Sequence, residues 1–244
     1  MSGRGESVSI PYVASGYENI LEALAEIDAN RVIKDDTEHC IWQASVGDEL
    51  LIIREFRADE ETDLDSVEMS QKRIRALQAG LGVRGLEQMV YYSPAAKTVI
   101  TRYAGMPLDG LSATMAGQIS TEEWSRALID LEQAIENGLC LDTGSADNVT
   151  YDRKLGFTFI DYARVADEVL AENPHPAIEF CNFLEVTFCE VGAAKRSPMG
   201  AAWRRTGRKA LEALTNRYPD SSDNPKLASA VESLQDYLNP TQLR

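Results

Sequence analysis

A chain of 244 residues is long enough to bury a sizeable core, either as one large domain or as two lobes. With 44% hydrophobic and 26% charged residues the composition is that of a globular protein, and no apolar run approaches the roughly 18–20 residues that crossing a bilayer requires. A formal net charge of −15 repels phosphate backbones and anionic lipid heads, so neither nucleic acid nor membrane is an expected partner; binding of a single nucleotide depends on local charge and stays open.

The opening residues, MSGRGESVSIPYVASGY, carry no apolar signal core, so a cytoplasmic location is expected, with export by a specialised secretion system left open. The residues before Tyr17 are expected to fray or to lie along a surface. Cys40, Cys140, Cys181 and Cys189 are scattered, form no CxxC, and make no zinc pattern with His39 and His175. Buried free thiols are the expectation.

Tyr17 to Ala29 has the spacing of an amphipathic helix, with Ile20, Leu21, Leu24 and Ile27 on one side. The period then changes. Arg31–Lys34, His39–Ser45 and Leu50–Phe56 are short apolar or β-branched runs, and Val46-Gly47-Asp48-Glu49 predicts a hairpin turn between the last two. An acidic linker, Ala58 to Asp65, leads to a second helix over Leu64 to Ala79. Gly80-Leu81-Gly82-Val83-Arg84-Gly85 matches G-x-G-x-x-G, but a helix precedes it and a strand-like run follows. A dinucleotide fingerprint needs the reverse order, so a helix cap and connector is predicted instead. Leu86–Tyr92 and Lys97–Tyr103 predict two more strands.

The second half is mostly helical. Thr121-Glu122-Glu123 reads as a cap and acidic first turn for a helix over Trp124 to Asn137, which Gly138 ends. Further helices are predicted over Val165–Ala171, Pro176–Val191, Met199–Tyr218 and Pro225–Leu238. Between them lies the stretch Leu139 to Arg164. It offers a polar loop, a short apolar run Val149–Tyr151, a turn at Asp152 to Gly156, and a strand Phe157–Ile160 running into Asp161. This order places Asn148 and Asp161 at neighbouring ends of two paired strands, where an amide oxygen and a carboxylate suit a hard cation.

Helix, polar loop with Asn148, hairpin, and Asp161 at a strand end resemble the catalytic core of the protein-kinase-like superfamily, whose loop reads H-x-D-x-x-x-x-N and whose metal strand ends in D-F-G. The resemblance implies an α+β, two-lobed fold. Residues 1–104 would form a lobe with a five-stranded antiparallel sheet and one main helix, and residues 105–244 a helical lobe with a small hairpin. It also implies an ATP- and Mg²⁺-dependent phosphotransferase acting on a protein or small-molecule hydroxyl. Asn148 and Asp161 would hold the metal, and Asp142 would orient the acceptor, with Asp147 as the rival. Arg54 would reach phosphate beside Glu68, or else Glu61, and Arg102 and Tyr103 would lie at the lobe connection where adenine binds.

The departures from that pattern are concrete. Cys140 stands in place of the histidine, and the count from Asp142 to Asn148 is one residue longer. Arg54 replaces the phosphate lysine, an exchange of a planar fork for a point charge. The loop Lys34 to His39 has three acids and no glycine. No A-P-E triplet or long activation segment follows Asp161, which points to compact members such as aminoglycoside and choline phosphotransferase-like proteins or minimal bacterial kinases. An inactive pseudokinase used as a binding module is the alternative. The cluster Lys195, Arg196, Arg204, Arg205, Arg208 and Lys209 is either a solvated helix face or a docking patch for an acidic or phosphorylated partner.

Overall fold

The structure, a computed structural model, describes residues 11–25, 31–35, 39–56, 64–142, 144–168, 174–193, 195–220 and 223–239, with backbone alone at 39 and 64–70. The chain forms two compact units, Met1–Gly82 with Glu87–Tyr103, and Val83–Leu86 with Ala104–Arg244. Among the described residues no helix is long and apolar enough to cross a membrane.

The first unit opens with a short strand, β1 (Tyr12–Val13), and a helix, α1 (Ile20–Ala25). Strands β2 (Arg31–Asp35), β3 (His39–Val46) and β4 (Glu49–Phe56) follow as an antiparallel meander, with Gly47 and Asp48 turning β3 into β4. Helix α2 (Leu64–Ala79) precedes β5 (Met89–Ser93) and β6 (Thr98–Arg102). Helix, three strands, helix and two strands thus follow in the expected order. The sheet is antiparallel throughout and has six strands, in the order β1-β5-β6-β4-β3-β2. The expected sheet had five. The sixth is β1, which pairs Tyr12 with Tyr92 and Val13 with Tyr91. Two residues are too few to show an alternating pattern, so the sequence carries no signal for it.

Strand alternation builds the core of this unit. Leu51 and Ile53 are two residues apart and so share a face. They pack with Ile20, Ala44, Val90 and Ile100, and Tyr17, Leu24 and Trp42 close over them. Helix α2 is tied in by a buried carboxylate. Glu87 is 3% exposed, and it accepts from Arg73 at 2.8 Å and from the Thr101 hydroxyl at 2.7 Å. A buried acid is tolerated where it is both paired and hydrogen-bonded.

The second unit contains β7 (Met106–Pro107), α3 (Ala113–Gln118), α4 (Thr121–Glu136), β8 (Leu139–Leu141), β9 (Val149–Asp152), β10 (Gly156–Phe159) and β11 (Tyr162–Arg164), then α5 (Pro176–Glu190), α6 (Pro198–Arg217) and α7 (Pro225–Leu238). The expected hairpin is β9–β10. It gains β7 as a third strand, and β8 pairs with β11 as a separate two-stranded ladder. The helix expected over Val165–Ala171 is a 3-10 turn at Val165–Asp167; residues 169–173 lie outside the described residues. Gly138 adopts φ +75° just past α4, the left-handed conformation that ends a helix without a Cβ penalty.

Helix α4 is the spine of this unit. Its Trp124 is fully buried, with Phe157 at 4.2 Å, Phe180 at 6.1 Å and Phe183 at 6.5 Å between ring centroids. Burying such a ring stabilises by about 3 kcal/mol. The segment Val83–Leu86 packs here as well. Gly85 accepts from the Phe159 N–H at 2.8 Å, Leu86 bridges Phe159, and the Arg84 Nε lies 2.6 Å from the buried carboxylate of Asp130 on α4. Burial pushes the Asp130 carboxyl above its ordinary range, against the pull of Arg84.

Candidate functional site

Asp142, Asn148 and Asp161 all lie in the second unit, and two strand registers bring them to one corner. The β8–β11 ladder pairs Leu139 with Arg164, Cys140 with Ala163 and Leu141 with Tyr162. One rung further stand Asp142 and Asp161, and the Asp142 N–H donates to the Asp161 carbonyl at 3.1 Å. The β9–β10 ladder ends with Val149 opposite Phe159. One rung beyond, the Ile160 N–H donates to the Asn148 carbonyl at 2.9 Å. The Asn148 Nδ2 closes the ring by donating to the Asp142 carbonyl at 3.0 Å. Main-chain groups take part in every link, so the three residues keep fixed relative positions.

This ring also orients the asparagine. A carbonyl only accepts, so Asn148 must turn its Nδ2 toward Asp142 and its Oδ1 away. That oxygen and the Asp161 carboxylate are the ligand type a hard cation takes. Among the described residues no group of three or more His, Cys, Asp or Glu side chains is arranged to hold a metal. A cation at this corner would therefore complete its shell with water and bound phosphates, as Mg²⁺ does at sites built from one or two carboxylates.

Asp142 is exposed, and its Oδ1 accepts from the Gly144 N–H at 2.9 Å. This is an Asx-type contact, the carboxylate oxygen accepting from the N–H two residues on. Asp147 is exposed within the 3-10 turn Ala146–Asn148. Cys140 is buried with its Sγ 3.7 Å from the Ala163 carbonyl. Burial, then the nearby carboxylates, push its thiol up, which disfavours the thiolate.

Glu190, the last residue of α5, has no role in the sequence expectation. Its carboxylate accepts from the Ala146 N–H at 2.5 Å and from the Ser145 hydroxyl at 3.3 Å. It thereby grips the loop between Asp142 and Asn148 from outside.

The remaining candidates belong to the first unit. Arg54 is half-buried on β4, an interior strand, opposite Ile41 and Val99. Glu68 falls in the α2 backbone with its side chain outside those described, and Glu61 and residues 36–38 lie outside the described residues. Arg102, which ends β6, is engaged locally. Its Nε lies 3.2 Å from Glu49 and 3.0 Å from the Tyr17 hydroxyl, and its guanidinium stands 5.5 Å from the Tyr17 ring centre. Tyr103 is half-buried and donates its N–H to the Leu50 carbonyl at 2.9 Å.

Two of the six residues of the basic cluster, Arg204 and Lys209, bind backbone carbonyls, while Lys195, Arg196, Arg205 and Arg208 are exposed. Lys209 donates to the Ile119 carbonyl at 2.6 Å and the Gly117 carbonyl at 3.4 Å, and Thr206 donates to Ala116. These are the carbonyls at the C-terminal end of α3, where cations are favoured. Arg204 likewise holds the Ala193 and Lys195 carbonyls at 2.5 and 2.9 Å. Arg204 and Lys209 thus fasten the α5–α6 loop and α3 to α6. Three of the four thiols are buried as expected, and burial pushes Cys181 up to about 12; Cys189 is exposed.

No protein-family model matches this chain, and no curated protein matches it in sequence.

Proposed function

We propose that the chain is a kinase-like phosphotransferase that moves the γ-phosphate of ATP to a hydroxyl acceptor, a protein or a small molecule. The carrying observation is the ring of contacts that joins Asp142, Asn148 and Asp161 at the ends of two strand pairs. Asn148, through Oδ1, and Asp161 would hold Mg²⁺, and the metal when bound would neutralise phosphate charge. Asp142 would orient the acceptor hydroxyl through Oδ2, within the hydrogen-bond reach such a role requires. The proposal rests on the second unit. Arg54 and Glu68 in the first enter it only as the resemblance implies, as a phosphate contact and its partner.

A second reading has its own support. Asp142 already accepts from Gly144, Arg102 is engaged by Tyr17 and Glu49, and Lys34 to His39 contains no glycine to approach a phosphate closely. These features favour a pseudokinase, the same fold used as a binding or regulatory module without turnover.

Thermal unfolding with MgATP tests both. At a hundredfold excess over Kd, a ligand of the folded state alone adds about 2.7 kcal/mol, or about 5–10 °C in Tm for a chain of this size. The expected result is a Mg²⁺-dependent rise that Asp161→Ala abolishes. No rise in the wild-type chain overturns the phosphotransferase reading. A rise without transfer of labelled phosphate to any hydroxyl selects the pseudokinase.

A further inference from the structure

We infer that Glu190 is a positioning residue for the Asp142–Asn148 loop, and so sets the metal and nucleotide affinity of a site it does not itself touch. The inference rests on the nucleotide-binding part of the function proposed above.

Its place in the chain is the first argument. A carboxylate in the last turn of a helix faces the negative end of the helix dipole, which disfavours it. Glu190 closes α5, and no basic residue occupies that last turn. Helix stability therefore gives no reason for an acid here. The loop does. Ala146 is buried, and its N–H opens the 3-10 turn that carries Asn148. A buried N–H needs an acceptor, and Glu190 supplies one at 2.5 Å while also taking the Ser145 hydroxyl. Charge-assisted bonds of this kind are the stronger ones.

The second argument is the path from Glu190 to the metal corner. Ala146 and Asn148 belong to one 3-10 turn, and Asn148 Nδ2 reaches the Asp142 carbonyl. Holding the turn at Ala146 thus adds an anchor behind the amide that turns Oδ1 away from Asp142. Releasing it leaves that amide held by the Asp142 carbonyl alone on its side-chain end, with both strand ladders intact. Partners that orient a metal ligand from behind act in this way, and losing one commonly lowers affinity about tenfold to a hundredfold.

The test compares four full-length chains: wild type, Glu190→Ala, Glu190→Gln and Asp161→Ala. MgATP affinity is read from Tm titrations, and ligand-free Tm is recorded beside it. Glu190→Ala is expected to weaken MgATP by about tenfold or more. Glu190→Gln keeps a side-chain oxygen for Ala146 and Ser145, so it is expected to recover most of that loss. A loss confined to general stability would follow ligand-free Tm and would not be rescued in affinity by glutamine. Wild-type affinity in Glu190→Ala overturns the inference, as does equal loss in the alanine and glutamine variants. If Asp161→Ala loses binding while Glu190→Ala keeps it, the functional reading stands and the role of Glu190 falls. If the wild-type chain shows no response to MgATP, the reading and the inference fall together.

Discussion

Gly85 stands where a side chain has no room. Its φ is +76°, and a Cβ built there would lie 2.6 Å from the Asp130 Cβ. Gly85→Ala therefore meets both left-handed strain and a clash with the residue that pairs with Arg84. The expected cost is about 2–4 kcal/mol, read as a lower urea midpoint at unchanged slope. Gly85 is the last glycine of the G-x-G-x-x-G run, and the run follows a helix rather than a strand. That ordering was enough to exclude a dinucleotide site, while the contact with Asp130 was invisible. Asp142, Asn148 and Asp161 were legible because local order alone places them: a helix stop, a polar loop, and two strand ends. Glu190 was not, because nothing periodic links the end of α5 to a loop far earlier in the chain. An acid where the helix dipole disfavours one was its only trace.

Among the elements, α4 shows how a start signal is used twice. The Ser120 Oγ accepts from the Glu123 N–H at 3.2 Å, and Glu123 Oε2 accepts from the Ser120 N–H at 2.7 Å. The other oxygen, Oε1, takes the Tyr151 hydroxyl from β9 at 2.5 Å. One carboxylate thus caps α4 and fastens the hairpin to it. Ser120→Ala is expected to cost about 1 kcal/mol, the usual worth of a cap. Glu123→Ala should cost more, since it also orphans a phenol, and a double-mutant cycle with Tyr151→Phe should show coupling of about 0.5 kcal/mol or more by urea unfolding. The long helices and the hairpin were readable from their periods. The cap fell one residue earlier than Thr121, within the ordinary uncertainty of helix ends. Helix α3 and strands β7, β8 and β11 are two to six residues long and too short to display a period at all.

At the scale of the whole molecule, the division into units does not follow one cut in the chain. Residues 83–86 leave the first unit, join the second, and return at Glu87 before the sheet is complete. A division into 1–104 and 105–244 reads composition and turn signals, which carry no information about such an excursion. The consequence is testable. Arg84→Ala in the intact chain leaves Asp130 covered by Gly85, a carboxylate 3% exposed, without that cation. Asp130→Ala is expected to be less destabilising, by roughly 1–3 kcal/mol, in an Arg84→Ala background than in the wild-type chain, because a buried charge that has lost this partner is removed. Urea midpoints of the four proteins decide it; equal effects in the two backgrounds would mean that Arg84 contributes nothing to Asp130.

Cys189 gives the second unit a chemical handle that needs no engineering. Cys40, Cys140 and Cys181 are buried and Cys189 is exposed, so a thiol-reactive fluorophore applied to the folded chain is directed to one position. That position adjoins Glu190, which holds the loop at Ser145 and Ala146. A dye there sits one residue from the grip on the Asp142–Asn148 loop, and its emission is expected to differ between the wild-type chain and Glu190→Ala, which removes that grip.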